Sequence, residues 1–167
     1  YEQKAYPDEA LPVITYQKDM RFHFNDQQID LLHFGPAHTT GDTAIFFQGD
    51  NAVHLGDVFN NSGYPFIDAG NDGSIDGVIE FCSQILSLIE EDTIVIPGHG
   101  AVSDYATLQA YVDMLSVVRE RIAKLVDAGA TLEDVYAANV TTEYDESYGD
   151  NTGFINRAYT SLARGHD

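Results

Sequence analysis

Pro36-Ala37-His38-Thr39-Thr40-Gly41-Asp42 follows the apolar run Ile29-Asp30-Leu31-Leu32-His33-Phe34, and two later segments repeat the arrangement. His54-Leu55-Gly56-Asp57 closes the run that begins at Ala52, and Pro97-Gly98-His99-Gly100 follows Thr93-Ile94-Val95-Ile96. Short apolar runs bounded by turn residues read as buried strands, and the turns as loops at strand ends. A His or Asp on each of three such loops can converge on one metal-sized volume, and adjacent glycines let the backbone turn tightly beside it. Neutral imidazole and carboxylate are zinc ligands. His38, Asp57 and His99 are therefore the candidate metal ligands. A ligating His needs its second ring nitrogen held by an acceptor; for His38 either Asp42 or a backbone carbonyl can serve. His33 and His54 fall inside strands and read as hydrogen-bonded structural residues, while His23 and His166 carry no signal.

The rest of the chain organises around these loops. Residues 1–12 are polar with two prolines and read as a leading strand or a linker. Strands are expected near 20–24, 29–34, 43–48, 51–55 and 93–96, with Asn25-Asp26 and Gly49-Asp50 as the turns between paired strands. Residues 56–74, rich in Gly and Asn, read as an irregular functional loop. A helix is expected from Ser74 to Glu90, with Ile75, Val78, Ile79, Cys82, Ile85, Leu86 and Ile89 on one face. A longer one begins at Asp104 as N-cap and ends at Gly129. Thr131 and Asp134 resemble a capping box opening a short helix. Glu143–Asn151 reads as an acidic turn region, and a last short helix follows Gly153. Ile45-Phe46-Phe47 and Ile94-Val95-Ile96 are apolar on both faces, so their sheet expects cover on both sides.

Composition narrows the function. At 167 residues the chain fits a single domain, 1–167, with a real core. Twenty-seven acidic against 8 basic residues give a net charge of −19. That argues against nucleic acid, which requires a basic footprint, and against anionic membrane surfaces. The plain reading is a solvated acidic surface. Cys82 is the single cysteine and lies in an apolar helical pattern, so it reads as a small core residue, with no intramolecular disulfide and no zinc knuckle. No apolar run approaches the ~20 residues of a membrane span. Compartment stays open. The segment Asp68–Asp76 fails as a calcium loop: counting from Asp68, position 3 is Gly70 and position 12 is Ile79. Tyr64, Pro65 and Phe66 read either as an apolar wall for a small-molecule substrate or as core packing.

Taken in order, His38 in its Thr-Thr-Gly-Asp loop, Gly56-Asp57, Gly63–Asp68, Gly73–Gly77, Pro97–Gly100 and Gly153-Phe154-Ile155 resemble the second half of the metallo-β-lactamase-fold hydrolases. The resemblance implies that His38 serves a first zinc, Asp57 bridges two zincs and takes part in catalysis, and His99 serves the second. That family's first half carries His-x-His-x-Asp-His, and no three of the six histidines here have that spacing. The expected fold is therefore α/β: half of an αββα sandwich, a mixed sheet with helices on one face. The complete enzyme is expected to use metal-bound hydroxide on a carbonyl substrate of the lactam, thioester or lactone class, with up to two zincs. This chain alone is expected to hold zinc weakly or in part and to be inactive. Its expected partner is the missing N-terminal half or a second copy in a homodimer. The alternative is a non-catalytic half-domain that oligomerises or complements a partner. Fold and metal site do not select among these substrates.

Overall fold

A computed structural model describes residues 6–164. Residues 1–5 of the leading segment and His166 lie outside the described residues. Residues 6–12 hold a single short turn, Asp8–Ala10, and no strand.

The strands are β1 (Asp19–Phe24), β2 (Gln27–Leu32), β3 (Ala44–Phe47), β4 (Ala52–His54), β5 (Asn60–Asn61), β6 (Ile94–Ile96) and β7 (His99–Gly100). The helices are α1 (Ile75–Leu86), α2 (Tyr105–Asp127), α3 (Leu132–Ala137), α4 (Asp145–Tyr148) and α5 (Thr152–Ala163). One mixed sheet has the order β1-β2-β3-β4-β6, and β5 pairs with β7 in a second, two-stranded one. β1 to β4 run antiparallel to their neighbours, and β6 lies parallel to β4.

Local chemistry sets the element ends. Asn25 and Asp26 both have positive φ, 51° and 60°, as a two-residue hairpin turn of the primed kind requires. Ser74 caps α1 by accepting from the Gly77 amide, and Asp104 caps α2 by accepting from Thr107. Gly129 follows α2 with φ 78°, a conformation that stops a helix without strain. Thr131 and Asp134 form a reciprocal capping box for α3. α1 stops at Leu86, one turn short of the expected Glu90, and Leu88 beyond it is exposed. The acidic segment at 143–151 contains a helical turn that its composition does not announce. Its Asp145 accepts from the Tyr64 hydroxyl at 2.9 Å and from Asn151 at 3.0 Å, so tertiary contacts shape it.

The sheet register separates two faces. Asp30, Phe46, Val53 and Val95 sit opposite one another across β2, β3, β4 and β6, and all four are buried. Phe46, Val53 and Val95 join the core formed with α1, α2, α3 and α5, including Phe81, Ile85, Leu115, Val118, Ile122, Val135 and Ile155. Asp30 is satisfied where it is buried: Arg21, Gln28 and Gln48 all donate to it. Two rows occupy the other face. One is Phe22, Ile29, Phe47, Ala52, Ile94, and the other is Met20, Leu31, Ile45, His54, Ile96. Nine of these ten side chains are apolar, and only Ala52 is buried. The helices therefore cover one face. On the open face Phe22 and Ile94 are 41% and 45% exposed, and before β1 Val13 is 99% exposed.

Candidate metal centre

Strand direction brings the three loops to one edge of the sheet. β2 and β4 are both antiparallel to β3 and so run the same way, and β6 is parallel to β4. The segments after β2, β4 and β6 leave from the same end, where ligands of open α/β sheets characteristically sit.

His38 belongs to the first segment. Asp42 shapes this loop: its carboxylate accepts from the amides of Ala37 and Thr39 and from the Thr39 hydroxyl. The loop is also tied to the start of α1, because Asp68 N donates to His38 O and Ser74 N to Ala37 O. Gly73 and Gly77 allow that approach. A Cβ on Gly73 would lie 2.1 Å from His38 O, and one on Gly77 would lie 2.1 Å from Pro36 O. The acceptor for the His38 ring is the carbonyl of Phe66, 2.6 Å from Nδ1. A carbonyl only accepts, so Nδ1 carries a proton and the neutral ring presents the Nε2 lone pair. Of the two acceptors open from the sequence, the backbone carbonyl is the one used.

Asp57 sits on a short helical turn, Gly56–Val58, whose entry requires Gly56 at φ 53°. The turn is pinned from below, where the buried Tyr111 hydroxyl donates to Val58 O at 3.2 Å. His99 begins β7, opposite Asn60 of β5. Gly98 lets the two turns meet, its amide donating to Gly56 O at 2.8 Å and to Phe59 O at 3.1 Å.

The three side chains come together through the carboxylate. His99 Nε2 is 3.2 Å from Asp57 Oδ1, and His38 Nε2 is 3.7 Å from Asp57 Oδ2. Each imidazole faces a different oxygen of one carboxylate, a donor arrangement suited to a bridging ligand. The number of ligands is incomplete: among the described residues, no group of three or more His, Cys, Asp or Glu is disposed to hold a metal ion. The donor chemistry thus fits zinc, while the set amounts to two pairs sharing one carboxylate.

The remaining candidates divide. Phe66 is 50% exposed, beside His38, with ring centroids 5.7 Å apart. Tyr64 lies in the core instead. It is 8% exposed, stacks on Phe154 at 4.9 Å, and burial pushes its hydroxyl well above the ordinary tyrosine range. Of the two readings open for that pair, Tyr64 takes core packing, while Phe66 stays exposed outside the core. His33 Nδ1 bonds Asp42 O, and His54 Nδ1 accepts from Gly56 N, both structural uses. Asp68 accepts from Gly70 N and Asn71 Nδ2, and chiefly the Asn71 side chain holds its carboxyl below the usual range. A cleft of about 720 Å³, lined by residues such as Arg21, Asp30, Gln48 and Thr93, includes none of the three ligand candidates. Two features were not anticipated from the sequence: the steric role of Gly98, and Arg157 of α5, which lies over the Phe66 ring.

No protein-family model matches the sequence, and no curated protein matches it. Solved structures do match in backbone. One is a metallo-beta-lactamase from Pontibacter korlensis, with TM-score 0.56 and 16% identity, over 63% of this chain and 49% of that one. Another is DIM-1 metallo-beta-lactamase, with TM-score 0.51 and 21% identity, over 60% and 46%. The chain thus spans about half the length of these structures. At such identity the likeness concerns the fold alone: a mixed sheet with helices that corresponds to part of the metallo-beta-lactamase fold.

Proposed function

We propose that this chain supplies the bridging-carboxylate side of a zinc-dependent hydrolase centre acting on a small carbonyl substrate of the lactam, thioester or lactone class. The observation that carries the reading is Asp57, whose two oxygens each face one imidazole, His38 on one side and His99 on the other. His38, Asp57 and His99 would hold the metal. Zinc, when bound, supplies Lewis acidity toward a carbonyl oxygen and lowers the pKa of water. The chain's own residues orient and shield. The Phe66 carbonyl fixes the His38 tautomer so that Nε2 points its lone pair toward the centre. The exposed Phe66 ring offers an apolar surface beside it. The Tyr111 contact keeps the Asp57 turn in place.

Two ligand pairs sharing one carboxylate are too few for a tight site, so the reading includes a second contributor. The apolar open face of the sheet supports the proposal that the missing N-terminal half or a second copy brings a complementary sheet and the remaining ligands. The other reading, a non-catalytic half-domain that pairs through that face, is favoured by the same open face and by the incomplete ligand set.

Zinc titration of the chain and of His38→Ala, Asp57→Ala and His99→Ala, together with hydrolysis assays on a chromogenic β-lactam, a thioester and a lactone, tests this. Weak zinc binding that each alanine abolishes, with no turnover by the chain alone, is the expected result. Zinc binding indifferent to all three substitutions would sink the metal assignment. Near two zincs with robust turnover would show that the chain needs no second contributor.

A further inference from the structure

Arg157 on α5 places its guanidinium carbon 3.7 Å from the centre of the Phe66 ring. That ring lies beside His38, and the Phe66 backbone carbonyl holds the His38 imidazole. The guanidinium is therefore one aromatic ring away from the candidate centre. Its electrostatic setting differs from that of the other arginines. Arg21, Arg119, Arg121 and Arg164 each face a carboxylate. Among the described residues the Arg157 guanidinium has neither a carboxylate partner nor a hydrogen bond, although acids outnumber bases 27 to 8. A guanidinium this close over an aromatic ring is restrained by it, and its N–H donors have no partner among the described residues. A held, planar fork with free in-plane donors matches a carboxylate or phosphate oxygen pair. The field of a chain at −19 repels anions in general, so one that binds must meet a local, unneutralised cation.

We propose that Arg157, seated on Phe66, anchors the anionic group of the substrate, so that the substrate is a small carboxylate- or phosphate-bearing molecule. The word substrate rests on the hydrolase reading above; the anion site itself requires no metal. Phe66 then has two uses, as a platform for the guanidinium and as an apolar wall between the anchored anion and the centre.

The experiment follows the arginine Nε–Hε resonances of the full chain, metal-free and at about pH 8 where free imidazole is neutral. The probes are benzoate, its neutral isostere benzamide, and inorganic phosphate. Benzoate or phosphate should move the Arg157 signal saturably and benzamide should not; the stronger of the two anions assigns the carboxylate or the phosphate class. Arg157→Ala should weaken binding of that anion at least about tenfold, the scale of one lost charge-assisted pair. Arg157→Lys, which keeps the charge but not the fork, should retain part of it. Zinc affinity, measured by chelator competition, should be unchanged in both variants. Absence of a saturable shift with either anion, or equal anion affinity in wild type and Arg157→Ala, overturns the proposal. Anion binding without zinc binding would sink the hydrolase reading and leave the anchor standing; zinc binding without anion binding would do the reverse.

Discussion

Replacing Gly98 by alanine adds one methyl group where the candidate centre is assembled. That carbon would lie 2.5 Å from Asp57 Oδ1 and 2.6 Å from both the carbonyl carbon and oxygen of Gly56. Ordinary contacts between such atoms begin near 3.5 Å, so the two turns must separate by roughly 1 Å. Two of the three clashes are with backbone, which cannot swing aside as a side chain can. The same separation lengthens the 2.8 Å bond from Gly98 N to Gly56 O. Overpacking of this kind costs about 1–3 kcal/mol. For a domain of this size that lowers Tm by about 2–12 °C. It also moves the oxygen that faces His99, so zinc affinity should fall about tenfold or more, in line with loss of ligand orientation. Gly41→Ala is the control, since a Cβ there meets nothing within 4 Å; it should change neither quantity. Thermal unfolding followed by circular dichroism, and zinc competition against a chromophoric chelator, read both effects. A Gly98→Ala protein that melts with wild type and binds zinc equally well would show that the Asp57 and His99 turns are not held by this contact.

The open sheet face makes a prediction about association. If five strands each leave roughly 100 Å² of apolar surface uncovered, its burial is worth on the order of 10 kcal/mol before association costs, so the chain should pair through this face. Charge repulsion opposes pairing, so sedimentation should show it strengthening with salt, and Ile45→Glu should abolish it; a stable monomer at every salt, with no dye-accessible apolar surface, would refute the reasoning. Chiefly its hydrogen bonds to the Arg121 guanidinium draw the Glu143 carboxyl from an ordinary 4.5 down to about 2. A depressed folded pKa contributes stability above the unfolded value and loses it as pH falls through the folded one, so wild type should lose stability relative to Glu143→Gln between about pH 4.5 and pH 2; parallel acid-denaturation curves would contradict this. Cys82 is wholly buried, and burial pushes its thiol far above the ordinary range. A thiol reagent should therefore label it only at the rate of global unfolding, and faster labelling of the native protein would count against that.

Much of this protein was legible in the chain because the physics concerned is local. Apolar runs ending at His38, Asp57 and His99 mark strand ends, since alternation and turn chemistry act over a few residues. Ser74, Asp104 and Thr131 announce helix starts by the same short-range hydrogen bonds that the structure displays. The two-sided apolar character of Ile45-Phe46-Phe47 and Ile94-Val95-Ile96 foretold a sheet with more apolar surface than these helices cover. Other features depend on residues far apart in sequence. Strand direction decides that the loops after β2, β4 and β6 leave from the same end of the sheet. The choice of the Phe66 carbonyl over Asp42 for His38, and of the core for Tyr64 over the surface for Phe66, follows from how residues 64–68 lie between α5 and the His38 loop. The α4 turn depends on Tyr64 reaching Asp145 across 81 positions. Arg157 carries no sequence signal at all, because an arginine on a helix acquires its meaning only from the ring it stacks on and the carboxylates it does not meet. Periodicity and capping are properties of a segment, whereas convergence, steric closeness and the pairing of charges are properties of the folded neighbourhood.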